Sequence, residues 1–170
     1  MNGCLCLALL VGGVLNGLAQ SQPTAARLEG EYYVTAYARH YNVPVRFVRA
    51  IVEQESSWRP CPVSPKGAAG LMQLMPLTAA RLGVRDRCNI SENVSGGVRY
   101  LAWLIRKFSG DMRLATAAYL AGEEVISHRG LLYRNREVVA YVSRIRESYQ
   151  HQFAEDSGTL STALRSRTIR

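Results

Sequence analysis

The stretch AIVEQESSWRP, residues 50–60, sets two carboxylates, Glu53 and Glu55, into an apolar helical pattern. In a helix that begins at Pro44, Val48, Ile51 and Val52 define the buried stripe, and Glu55 continues it at i+7, i+4 and i+3. Glu53 falls about 200° around from Ile51, on the polar side with Arg46 and Arg49. A carboxylate on an apolar face is costly to ionise, so its pKa rises toward neutrality, which is the property a general acid needs. An inward glutamate can equally be a structural cap or the partner in a buried ion pair. Its place in the last turn before Trp58 and Pro60, where a helix opens into a loop, suits a carboxyl that faces a cleft.

A second polar group stands in a similar setting. Gln73 is the single amide in Gly70-Leu71-Met72-Gln73-Leu74-Met75 and must find hydrogen-bond partners. The hydroxyls or acetamido group of a sugar would serve, and so would backbone carbonyls around a Met/Leu core.

The elements that must position these groups read as helices. Tyr33, Tyr37 and Tyr41 recur every fourth residue on one face of a first helix, and Asn42 and Val43 break it before Pro44 opens the next. Val94, Val98, Leu101, Ile105 and Phe108 form a stripe, with Ser91 as its expected cap and Ser109-Gly110 as its stop. Asp111 is expected to cap the helix MRLATAAYLAG. Asn135 is expected to cap REVVAYVSRIRESY, where Val138, Val142, Ile145 and Tyr149 share a face. No run alternates with period two, so the fold class is all-α, with at most a minor β or irregular region in the Pro/Gly-rich stretch. From Glu155 the chain turns Ser/Thr-rich without a stripe, which assigns 151–170 to a disordered tail.

Composition limits the function classes. The 170 residues, 48% hydrophobic, suit one globular domain. Residues 1–19 carry no charged side chain, and their short apolar run ends in Gly17-Leu18-Ala19, the shape of a signal peptide with a small-x-small site. A retained membrane anchor is the alternative. Export would remove Cys4 and Cys6 and leave Cys61 and Cys88 to form a disulfide in an oxidising compartment. His40, His128 and His151 lie far apart and neither remaining cysteine has a histidine at ligand spacing, so no metal site is expected. The formal charge of +8 favours an anionic partner. The arginines are scattered and no recognition motif accompanies them, so nucleic acid is not that partner.

Together QESSW, SPKGAAGLMQLMP, TAARLGV, NVSGGVRYLAWLIRKF, ATAAYLAG and REVVAYVSRI occur in an order that resembles the lytic transglycosylases of the soluble, goose-type-lysozyme-like class. The resemblance covers residues 30–150. It implies an all-α lysozyme-like domain that cleaves the β-1,4 bond between N-acetylmuramic acid and N-acetylglucosamine in peptidoglycan. It also implies a periplasmic or secreted bacterial chain that is monomeric and needs no cofactor. On this resemblance Glu55 is the single catalytic acid and base, while Ser64, Gln73, Met75, Tyr119, Glu137 and Tyr141 line the glycan groove, with Tyr141 beside Glu55. Small members of the class often accompany envelope-spanning secretion, conjugation or pilus machines, which makes such a machine a candidate partner.

One position departs from the pattern, because Leu120 stands where the class usually has asparagine. A hydrolytic lysozyme and a non-catalytic wall-binding module are the competing readings. Leu120 is the feature that favours the second. Two sequons, at Asn89 and Asn93, would matter only in a eukaryotic secretory route.

Overall fold

The computed structural model describes residues 24–167, and the segment read as an export signal lies outside them. Seven α-helices follow in order: α1 (Ala25–His40), α2 (Val45–Ser56), α3 (Pro76–Arg81), α4 (Ile90–Lys107), α5 (Met112–Ala121), α6 (Glu123–Arg129) and α7 (Arg136–Arg167). A short 3-10 turn, Gly130–Leu132, joins the last two. Among the described residues there is no strand. Pairing is limited to isolated bridges from Ala69 to Val63 and Leu74, in the Pro/Gly-rich loop between α2 and α3. No described helix is long and apolar enough to cross a membrane.

Helix α2 is the centre of the domain. Phe47, Val48, Ile51 and Val52 are buried against Val34 and Ala38 of α1, Val94, Val98 and Leu101 of α4, and Tyr141 and Ile145 of α7. Each such side chain removed from water contributes about 1.5–3 kcal/mol, so the periodic stripes account for the bundle. Tyr33, Tyr37 and Tyr41 pack together on the edge of this core. A second cluster joins Leu104, Ala115, Ala118, Ile126 and Val138 where α5 packs on α4, α6 and α7.

The helix ends show which capping signals operate. The Asp111 carboxylate accepts from the N–H groups of Arg113 and Leu114, and the Asn135 amide oxygen from those of Glu137 and Val138. Pro44 precedes α2 rather than beginning it, its carbonyl accepting from Phe47 and Val48. The cap of α4 is Asn89, two residues earlier than Ser91, and its side chain accepts from Glu92 N–H at 3.0 Å. The Glu92 carboxylate reaches back to the N–H groups of Arg85 and Asp86, which fixes where the helix starts. Ser91 lies inside the first turn, its hydroxyl 3.1 Å from that of Tyr37.

Helix α7 continues to Arg167, through the segment whose composition reads as a disordered tail. Gly158 is its one poor helix former, and no proline interrupts it.

Cys61 and Cys88 form a disulfide with their Cα atoms 5.0 Å apart, tying the loop after α2 to the loop before α4. Closing a loop with a sequence separation of 27 restricts the unfolded chain by about 3–4 kcal/mol in the chain-entropy account. Reduction followed by thiol capping should lower the unfolding free energy by that amount, measured by urea titration. A loss under about 1 kcal/mol would contradict the entropic account.

Candidate active site

Glu55 occupies the last turn of α2, and the backbone turns sharply beyond it. Ser57 and Trp58 both adopt left-handed conformations, with φ of 49° and 61°. A tryptophan there is strained by about 1–3 kcal/mol, and its burial compensates. The Trp58 ring lies over Gly30 of α1, where a Cβ would come within 3.4 Å of it, and Arg27 stacks on it at 5.2 Å. The turn ends the helix beside Glu55 and leaves its carboxyl partly buried at the border of the core.

The two glutamates separate as their helical positions require. Glu53 is exposed. Burial pushes the Glu55 carboxyl from the ordinary carboxylate range up to about 7, while a hydrogen bond from the Tyr141 hydroxyl to Oε1 pulls in the other direction. No neighbouring carboxylate contributes to the shift. Tyr141 is buried in α7, and burial together with the Glu55 charge pushes its phenol well above the ordinary range, so it stays a donor. Tyr119, at the end of α5, donates its hydroxyl to the Met72 carbonyl at 2.8 Å. Its phenol is raised by burial and then by Glu55, which places it within the electrostatic reach of that carboxyl.

Opposite stands the turn Ala69–Leu74, closed by reciprocal backbone bonds between those two residues. Gln73, with φ of 45°, directs its amide nitrogen to the carbonyls of Pro62 at 2.8 Å and Gly70 at 3.0 Å. The backbone alternative therefore holds for its donors, and Oε1 is the atom it can offer a ligand. Ser64 closes a neighbouring turn, its hydroxyl oxygen accepting from Ala68 N–H at 3.0 Å and its proton left to donate. Met75 is exposed where α3 begins. Glu137 is also exposed, one helical turn before Tyr141. Leu120 is 37% exposed and lies outside the cluster that holds Ala117 and Leu114.

A residue of α4 organises this wall. Asn93 is fully buried; its Oδ1 accepts from Met72 N–H at 2.8 Å, and its Nδ2 donates to the carbonyls of Ala69 at 3.0 Å and Arg87 at 2.9 Å. Gly70 must be glycine here, since its φ is 83° and a Cβ would stand 2.6 Å from Asn93 Cγ. In the sequence Asn93 is visible as a sequon, but it lies within the α4 stripe beside Val94. A polar group among apolar neighbours was the clue that applied to Glu55, and it applies equally here. Among the described residues no group of three His, Cys, Asp or Glu side chains could hold a metal ion.

Residues 32–137 match the family described as Transglycosylase SLT domain. The transglycosylase of Enterobacteria phage PRD1 is 39% identical over 89 residues, which cover 52% of this chain and 33% of that protein. Membrane-bound lytic murein transglycosylase F 1 of Alkalilimnicola ehrlichii is 36% identical over 105 residues, 58% of this chain and 21% of that one. The chain thus spans about a third or less of these relatives. Among solved structures, an inactive mutant of lytic transglycosylase Slt from Pseudomonas aeruginosa superposes with a TM-score of 0.64 at 24% identity, covering 75% of this chain and 24% of that chain. The 70 kDa soluble lytic transglycosylase from Escherichia coli gives 0.63 at 24% identity, with 72% and 24% covered. Both share the all-α fold.

Proposed function

From the chain's membership of the transglycosylase SLT domain family, we propose that it is a lytic transglycosylase of peptidoglycan, acting outside the cytoplasmic membrane where that polymer lies. The observation that carries this reading is Glu55: a single carboxyl with its pKa raised to about 7, held by one phenol. It is half protonated near neutral pH, so it can give and then take a proton.

Tyr141 holds Oε1, which leaves Oε2 to carry the transferable proton. That proton passes to the glycosidic oxygen as the bond to C1 of the muramyl sugar breaks, and N-acetylglucosamine leaves with a free 4-hydroxyl. The Glu55 carboxylate then removes the proton of the muramyl 6-hydroxyl, whose oxygen closes on C1. The product is a 1,6-anhydro sugar, Glu55 is protonated again, and no water is consumed. The acetamido group of the muramyl sugar assists at C1, so a second carboxylate of the kind paired glycosidases use is unnecessary. Ser64, Gln73, Met75, Tyr119 and Glu137 complete the reading as residues of the glycan groove.

Mass spectrometry of digested sacculi tests it. Muropeptides lacking one water at the muramyl end are expected; products that retain the water would make the chain a hydrolase, and intact sacculi would make it non-catalytic. Tyr141→Phe tests the acid. Its hydroxyl lowers the Glu55 pKa, so removing it raises that pKa and moves the alkaline fall of kcat/KM, otherwise near pH 7, to higher pH. The rate below the fall should drop about 10- to 100-fold as the carboxyl loses its positioning bond. An unmoved pH profile would show that Tyr141 has no hold on the acid.

A further inference from the structure

Beyond Tyr119 a second cleft of about 440 Å³ lies between the end of α3, the outer face of α4 and the start of α6. Its floor is aromatic. Tyr100 and Trp103 stack with ring centroids 5.9 Å apart and planes 14° apart, and Tyr100 lies 5.7 Å from the Tyr119 ring. Arg81, Arg99 and Arg106 line it, and Lys107 stacks on Trp103 at 4.9 Å. The single carboxylate in the lining, Glu123, accepts a hydrogen bond from the Tyr100 hydroxyl at 3.0 Å. Arg99 donates to the Leu82 carbonyl and so braces the cleft. Arg81 and Arg106 are exposed guanidinium groups at its rim.

We propose that this cleft binds the acidic peptide arm of the glycan strand whose sugars sit at Glu55. The inference rests on the transglycosylase reading. Two features favour this occupant: cationic charge against one carboxylate already engaged, and the packing of the cleft's Tyr100 against Tyr119, whose phenol feels the Glu55 charge. A guanidinium pairs with a carboxylate through two parallel bonds, a geometry that a neutral sugar does not use. The stacked rings offer an apolar floor to the aliphatic part of a short peptide.

The test compares two substrates with the full chain and with Arg81→Ala/Arg106→Ala, two exposed changes that leave the Arg99 brace in place. On peptide-bearing sacculi the variant should lose about five- to tenfold in kcat/KM, the size expected from two partly exposed charge pairs. On glycan strands stripped of peptide by an amidase it should match the parent. An equal loss on both substrates would give the cleft to the glycan strand itself, its sugars or the lactyl carboxylates that the amidase exposes, and no loss on either would leave it without this role; both outcomes overturn the proposal. A second measurement does not depend on turnover. The free L-alanyl-D-glutamyl-diaminopimelate tripeptide should change the fluorescence of the parent chain, and the change should vanish in Trp103→Phe. If the parent cleaves neither substrate, the transglycosylase reading fails, and the tripeptide response alone decides for or against the cleft.

Discussion

Sacculi treated with the Glu55→Gln chain should release no anhydro-muropeptide above background, a loss of about 10³-fold or more, because the group that moves both protons is gone. Glu53→Gln should stay within about twofold of the parent, since that carboxylate points to solvent on the opposite side of α2. Glu55→Gln, although inactive, should gain stability at alkaline pH. The folded-state pKa of Glu55, about 7, lies above its unfolded value of 4.5, so the folded chain binds more protons between those two values. Stability is therefore fully present below pH 4.5 and falls as pH rises toward 7, by about 3 kcal/mol at most. Glutamine carries no charge to bury. Glu55→Gln should melt several degrees above the parent at pH 8 and level with it near pH 4. An inactive variant with no gain at pH 8 would mean that the carboxylate is better solvated than its burial implies.

The largest loss of stability is expected from Asn93→Ala. It leaves Met72 N–H and the carbonyls of Ala69 and Arg87 without their partner inside a closed core. At about 1–3 kcal/mol for each unsatisfied group, partly relieved by water entering the space, the total is about 3–5 kcal/mol. Asn93→Asp should cost nearly as much, because a carboxylate could still accept from Met72 but would face two carbonyl oxygens that need a donor. Urea unfolding of both variants measures this, and a loss below about 1 kcal/mol in each would show that the turn closes without the clamp.

Much of this was legible in the sequence, for a definite reason. Burial repeats with the helix, so the spacing of Val48, Ile51 and Val52 located α2 and turned Glu55 inward. Asp111 and Asn135 were legible as caps because each has a short side chain that can accept from the first free N–H groups of the helical pattern that follows it. At α4 the spacing pointed to Ser91, but contacts of Glu92 with a preceding loop set the start two residues earlier, at Asn89. Gln73 posed a harder question, since an amide's need for partners does not say whether ligand or backbone fills it. Both carbonyls that hold its nitrogen come from a loop whose path is irregular. Tyr141 reaches Glu55 from 86 positions away, a pairing that no local pattern encodes and that the family resemblance supplied.

The two phenols act as cross-braces between bodies of different origin. The acid belongs to α2, whereas the turn opposite hangs from α4; Tyr141 ties α7 to the first and Tyr119 ties α5 to the second. Four helices thus meet in one truss, and none can swing outward without breaking a bond at the centre. Heat should then not loosen the site ahead of the scaffold, as it does where catalytic groups ride on mobile loops. The loss of catalytic geometry and the collapse of the bundle become one cooperative event, set by the same interlocked joints.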